Sequence, residues 1–352
     1  MARSALAKRT TALVASLALT LAAAGCGGRP APSGDASAAA RGRLQTFTIA
    51  LDYTENVDYL GIYVAQSKGW FRQEGIRLKI LPYSGAPAET LLAAHRTDLG
   101  LTYPPNIPAY RAQGLDYEAV AGLAQVNTIN IAVLKSSPYH SVAQLSGKLY
   151  GGFGVSSDKP IMLDVFRRAG VAHPVYREVN LGVDAYQALA AHRVAYSITY
   201  GGIDDITAEL NGVALRQFPI KHYLGAAFSF PDDAFVALDH EVNAHHALFA
   251  HALRALARGY EYAAAHPAAA EAILLKDNPA ALAGAKRVID ATGNATAPTF
   301  VSPQGTWGRL DDADFAGLTR ILVKGGLIPA GKAPQPRQDF TDSLLPPTPL
   351  VK

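Results

Sequence analysis

From residue 45 onward the apolar positions fall in short blocks whose period changes along the chain. Thr46–Leu51 (TFTIAL) sets β-branched and aromatic residues against outward polar ones and predicts a strand. Asp58–Lys68 switches to helical spacing, with Leu60, Val64 and Ser67 in register and Ile62 and Ala65 beside them, until Gly69 stops it. The alternation continues with a strand at Ile76–Leu81, a turn at Pro82–Gly85, and a helix at Ala86–Ala94. A strand at Leu99–Thr102 and a helix at Ile107–Gln113 follow. Strands alternating with helices indicate βαβ units and a parallel sheet.

The apolar run Ile129–Leu134 predicts another strand, and after Ser136-Ser137-Pro138 a fresh set begins. Its helices are expected at Ser141–Leu145, Asp158–Ala169, Asp184–His192 and Asp204–Leu210, and its strands at Leu149–Gly152, Tyr176–Val179 and Ala195–Thr199. Residues 229–238 end in a strand. Helices Val242–His266, Pro267–Leu275, Ala280–Thr292 and Asp311–Lys324 complete the pattern, the last with acids at its start and Lys324 at its end to complement the dipole. The expected fold class is α/β, in two lobes. Residues 44–135 and 229–335 form the first lobe, 136–228 an inserted second, and 336–352 a C-terminal tail. The lobes leave a ligand cleft between them, with hinges near residues 135 and 230.

The first 43 residues follow another pattern. Arg3, Lys8 and Arg9 precede an apolar run, Ala12–Ala24, which is too short for a membrane span and ends at Gly25-Cys26. Basic start, short apolar run and small residues before a cut describe residues 1–25 as a secretory signal. The ending resembles a bacterial lipobox, with Ala23 at the position usually held by Leu, so Cys26 is the expected lipid attachment site. Residues 26–43, rich in Gly, Pro, Ser and Ala, read as a flexible tether. Two acyl signals give stable anchoring, so the expected location is extracytoplasmic on a bacterial membrane.

This changes the meaning of the charge. The whole chain carries +3, but without residues 1–25 its Lys and Arg fall from 32 to 29, equal to its 29 acids. No basic block remains to suggest nucleic acid. A lone cysteine excludes an internal disulfide, a CxxC pair and a cysteine zinc cage. His245, His246 and His251 lack metal-ligand spacing, and no G-x-S-x-G elbow is present. No metal, cofactor or catalytic residue is expected.

Several segments, in order, carry a family resemblance. Leu51-Asp52-Tyr53-Thr54-Glu55-Asn56, Gly61-Ile62-Tyr63-Val64-Ala65, Lys68-Gly69-Trp70-Phe71 and Glu74-Gly75-Ile76 resemble the opening of NMT1/THI5-like substrate-binding proteins. Ala143–Lys148, Gly151-Gly152-Phe153-Gly154, Tyr200-Gly201-Gly202, Trp307-Gly308 and Gly326-Leu327-Ile328 extend the likeness over most of residues 45–330. Tyr53 stands where the family has Trp, Glu55 where it has Pro, and Tyr59 where it has His. The resemblance implies a periplasmic-binding-protein-like type II fold. It also implies a monomeric receptor that gives a small aromatic heterocycle to ABC importer permease subunits. A thiamine pyrimidine precursor is favoured; riboflavin, a sulfonate or another small solute is the alternative. The family's fungal synthases use a Cys-rich motif and an active-site His, and neither stands at the matching places here. An enzyme on the same bilobal fold and a surface interaction protein remain the other classes.

The candidate ligand-binding residues follow from strand ends and helix starts. Asp52 and Tyr53 close the first strand, where an α/β cleft takes its ligand. Asn56 can orient a ring edge or cap the next helix. Ser84 and Tyr103 follow the next two strands. Phe153, with Ser157 and Asp158, opens the second-lobe helix, and Phe153 can form one face of an aromatic clamp. Tyr200 ends a second-lobe strand. Asp232 and Asp233 read as solvated loop.

Overall fold

The computed structural model describes residues 43–351, so the expected signal segment, most of the expected tether and Cys26 lie outside the described residues. Ten strands form two five-stranded sheets. The first contains β1 (Gln45–Ala50), β2 (Ile76–Leu81), β3 (Leu99–Thr102), β4 (Tyr117–Gly122) and β10 (Ala234–Leu238), in the order β2-β1-β3-β10-β4. The second contains β5 (Ile129–Leu134), β6 (Leu149–Gly152), β7 (Arg177–Asn180), β8 (Tyr196–Tyr200) and β9 (Leu215–Pro219), in the order β7-β6-β8-β5-β9.

Both sheets are mixed, which corrects the expectation of parallel ones. β10 runs antiparallel to β3 and β4, and β5 antiparallel to β8 and β9. These are the first strands after each passage between lobes. A strand entering a lobe from the cleft must run away from it, whereas β1, β2, β3, β6, β7 and β8 point their carboxyl ends toward it. β4 and β9 escaped the sequence reading. β4 (YEAVAG) carries Glu, Gly and two Ala, weak strand formers that pairing overrides, and β9 (LRQFP) ends in Pro on a sheet edge.

The lobe boundaries also shift. Because β5 belongs to the second sheet, the first crossover is residues 123–128, not the stretch near 135. The return crossover stays near 230. Helix Asp312–Lys324, expected in the first lobe, sends Leu318 and Ile321 into the second core, and Lys324 pairs with Asp164. Residues 336–351 of the expected C-terminal tail pack back against the first lobe. Phe340 stacks on Phe315 with centroids 5.1 Å apart, Thr341 N–H donates to the Ala119 carbonyl, and Leu344 and Leu345 are buried in the first core.

The first core sets the height of the cleft floor. Helices Leu60–Ser67 and His246–Ala265 approach so closely that a Cβ on Gly259 would stand 2.0 Å from the Gly61 carbonyl oxygen. At the next residue, Tyr260 stacks on Trp307 at 4.8 Å, and its hydroxyl donates to the Asp58 carbonyl. Trp307 Nε1 in turn donates to Leu123 O at the start of the crossover. Buried aromatic pairs of this kind each add about 0.5–1.5 kcal/mol beyond area burial. The expected helix Val242–His266 is instead two, Asp239–Ala244 and His246–Ala265, broken at His245.

Candidate ligand cleft

The carboxyl ends of the parallel strands from both sheets face one cavity of about 530 Å³, within the range of small-molecule sites. Asp52 and Tyr53 follow β1, Tyr103 follows β3, Phe153 follows β6, Tyr200 ends β8, and Asp158 opens helix Asp158–Arg168; all line the cavity. Asn56 does so too while capping the turn Val57–Tyr59, its Oδ1 accepting from Asp58 N–H at 2.7 Å. Two candidates lie elsewhere. Ser84 is exposed and outside the lining, because the extended chain after β2 alternates and turns Tyr83 inward. Ser157 is fully buried beneath the helix start, where Ser156 takes the lining position.

Three rings close the cavity mouth. Tyr53 and Tyr83 from the first lobe stack with centroids 6.4 Å apart and planes at 22°. Phe153 from the second lies 5.8 Å from Tyr53 and 6.3 Å from Tyr83, tilted against both. The Tyr53 hydroxyl donates across the gap to the Val183 carbonyl at 3.2 Å. The lobes therefore meet over the cavity, and the polar tip of one amphipathic ring ties them.

Inside, the lining is acidic. Asp52, Asp58, Glu89, Asp158, Asp204 and Asp233 all contribute, and among the described residues no Lys, Arg or His does. Burial, opposed by the Tyr59 hydroxyl bond at 2.9 Å, raises Asp52 to about 6. Burial likewise raises Asp158 to about 7 and Asp204 to about 6, each holding one protein donor: the Tyr150 hydroxyl at 2.8 Å and Tyr200 N–H at 2.9 Å. Glu89 accepts from Thr102 and Asn106, and burial pushes it up. Asp58 and Asp233 are raised well above the usual carboxylate value, first by burial and then by repulsion from Asp52, to which Asp232 and Asp204 add for Asp58, and Asp58 and Asp232 for Asp233. Among the described residues neither carboxylate accepts a hydrogen bond. The Tyr103 hydroxyl, also on the lining, is buried without a partner.

Asp58, Glu89, Asp204, Asp233, Tyr59 and Tyr83 escaped the sequence reading of the site. Asp58 and Glu89 sit in first turns after strand ends, where capping chemistry hid them. Asp233 and its neighbour Asp232 are not solvated loop. Asp232 accepts from Thr128 N–H at 2.8 Å and from the Thr128 hydroxyl, lashing the two crossovers together, and Asp233 faces the cavity beside them. The signal was topological: a return crossover passes the cleft floor.

Two mixed α/β lobes, two crossovers and a cavity between strand ends define a two-lobed periplasmic-binding-protein fold. The alkanesulfonate-binding protein SsuA of Xanthomonas axonopodis, solved with MOPS bound, is similar with a TM-score of 0.64 at 16% identity, over 85% of this chain and 99% of that one. The periplasmic nitrate-binding protein NrtA of Synechocystis gives 0.61 at 14% identity, over 87% and 92%.

The chain belongs to the NMT1/THI5-like family, whose model matches residues 56–270. Among its relatives are a Haemophilus influenzae protein named for thiamine biosynthesis, 28% identical over 53% of this chain, and the formylaminopyrimidine-binding protein of Halalkalibacterium halodurans, 24% identical over 66%. A Legionella pneumophila protein named as a 4-amino-5-hydroxymethyl-2-methylpyrimidine phosphate synthase is 27% identical over 40%. The matches span 57%, 70% and 45% of those relatives' own lengths.

Proposed function

We propose that this protein is the extracytoplasmic solute receptor of an ABC importer, and that it captures a small amino-substituted aromatic heterocycle as a cation. The observation that carries this reading is the lining: six carboxyl groups and an aromatic mouth, with no cationic side chain among the described residues. A desolvated carboxylate needs a donor or a positive charge beside it. Asp58 and Asp233 have neither from the protein, so a ligand N–H⁺ would supply both. Tyr53, Tyr83 and Phe153 offer ring faces to stack on and to hold a delocalised cation. A sulfonate or nitrate would find no cationic side chain to pair with among the described lining residues.

A relative named for formylaminopyrimidine binding supports an aminopyrimidine as the ligand class. A fold shared with solute-binding proteins, together with a relative named for formylaminopyrimidine binding, supports capture rather than turnover. Anchoring through lipidated Cys26, delivery to permease subunits and a monomeric state belong to the same proposal. Equilibrium titration of the purified chain with 4-amino-5-hydroxymethyl-2-methylpyrimidine and with MOPS tests it. Saturable binding of the pyrimidine with no binding of the sulfonate is expected. The reverse order would overturn the ligand class, and conversion of the bound pyrimidine would overturn the receptor reading.

A further inference from the structure

The cleft lies at one end of the first sheet. A different cluster sits at the other end, one short strand away. His95 follows helix Ala88–Ala93 and leads into β3, Asp116 leads into β4, and His240 and Glu241 begin the helix after β10. Three separate stretches of chain thus meet where β3 starts and β10 finishes. Backbone bonds fix the meeting: Asp239 N–H donates to the Asp116 carbonyl at 2.7 Å, and His240 N–H to the Asp116 carboxylate at 3.3 Å.

The side chains are arranged around one oxygen. Glu241 Oε1 stands 3.2 Å from His95 Nδ1 and 3.5 Å from His240 Nε2, and all three ligand atoms lie within 4.8 Å of one another. Two ligands held 2.0–2.1 Å from one ion at a tetrahedral angle stand about 3.3 Å apart. The other nitrogen of His240, Nδ1, is engaged by the Asp116 carboxylate. That is the outer-shell arrangement metal-bound imidazoles use: a carboxylate takes the far N–H, fixes the tautomer and turns the free lone pair toward the ion. Spacing in the sequence could not show it, because residues 95, 116 and 240 are joined only by the sheet.

We propose that His95 Nδ1, His240 Nε2 and a Glu241 oxygen form a site for a zinc-class divalent ion, with Asp116 as the positioning residue behind His240. Two imidazoles and one carboxylate suit zinc, nickel or copper and not calcium or magnesium, which favour oxygen donors. Three protein ligands leave a fourth position for water, and the side chains are exposed enough for an ion to enter without opening the fold. The ion would staple the loop before β3 to the helix after β10. It would leave the cleft untouched, so this site stands independently of the ligand reading.

The test uses chelator-stripped, tag-free protein titrated with zinc against a chromophoric competitor, and with cobalt followed by visible absorption. One equivalent is expected to bind, with the intense cobalt bands of a four-coordinate site. A hundredfold excess over the dissociation constant should raise the melting temperature by about 5 °C. His95→Ala and His240→Ala should each abolish that equivalent, and Asp116→Asn should weaken it about 10–100-fold while both ligand histidines remain. Pyrimidine binding in the cleft should be unchanged in all three variants. If wild type binds no more tightly than the His95→Ala/His240→Ala double variant, or if Asp116→Asn leaves affinity and cobalt spectrum unchanged, the site is overturned.

Discussion

The two walls of the cleft handle buried charge differently. On the second lobe, Asp158 and Asp204 each hold a donor built into the fold, the Tyr150 hydroxyl and the Tyr200 amide. On the first lobe, Asp58 and Asp233 hold none among the described residues, and Asp52 stands close enough to repel both. Asp52 and Glu89 of the first lobe also hold protein donors, so Asp58 and Asp233 alone are left for a ligand to satisfy. The contrast assigns the lobes different tasks. In the proposed receptor the first lobe would carry the charge recognition, while the second contributes a ring, Phe153, and a carbonyl, Val183, that meet Tyr53 of the first.

The largest expected effect tests that contrast directly. Asp233→Asn and Asp58→Asn should each weaken binding of a cationic pyrimidine about 10–100-fold, since a hydrogen bond to a charged partner contributes about 1.5–3 kcal/mol. The same substitutions should raise the melting temperature of the ligand-free protein at pH 7–8, because they remove a carboxyl whose ionised form burial and neighbouring acids disfavour in the folded state. Asp158→Asn should cost less affinity, its wall position already being held by Tyr150. Titration calorimetry with parallel melting curves reads both arms, and a destabilised Asp233→Asn protein would contradict the assignment.

A second effect is set by pH. Asp52 and Asp204 at about 6 and Asp158 at about 7 all sit above their ordinary 3.8. The folded chain therefore holds more protons than the unfolded chain between about pH 4 and pH 7. Their contribution to stability is full below pH 4 and is lost as pH rises through those values. Ligand-free protein should melt progressively lower across this window, and saturating cation should flatten the slope. A melting temperature that climbs from pH 4 to 7 without ligand would argue against buried, raised carboxylates.

Smaller effects probe the mouth. Tyr53→Phe keeps the ring but removes the hydroxyl bond to Val183, and should weaken binding about 2–10-fold. The change should appear mainly in the dissociation rate, since the bond forms across the closed lobes. Ser84→Ala should alter affinity less than twofold while Tyr83→Ala weakens it about tenfold, a comparison that fixes which neighbour faces inward.

That pair of neighbours also shows how far the sequence could be read. Strand ends gave Asp52, Tyr53, Tyr103, Phe153 and Tyr200, because hydrophobic period marks where a strand stops and an α/β cleft lies beyond it. Phase beyond the strand end was not legible, so Ser84 stood in for Tyr83 and Ser157 for Ser156. The direction of β5 and β10 was also hidden, since a continuous apolar run looks the same in parallel and antiparallel pairing. Asp233, Asp58 and Glu89 reach the cavity only through tertiary placement, and each has an ordinary local explanation as a cap, turn or loop residue. The equal numbers of acidic and basic residues beyond residue 25 concealed how unevenly the acids are distributed.

The central claim is that Asp58 and Asp233 of the first lobe select a cation. Its most direct test is a single competition series by calorimetry at pH 7. It sets an aminopyrimidine that carries a ring or side-chain N–H⁺ against a neutral analogue of the same shape and an aliphatic sulfonate. The account predicts that the cation binds at least tenfold more tightly than its neutral analogue, and that this preference disappears in Asp233→Asn. Equal binding of the two pyrimidines, or tighter binding of the sulfonate, would contradict it.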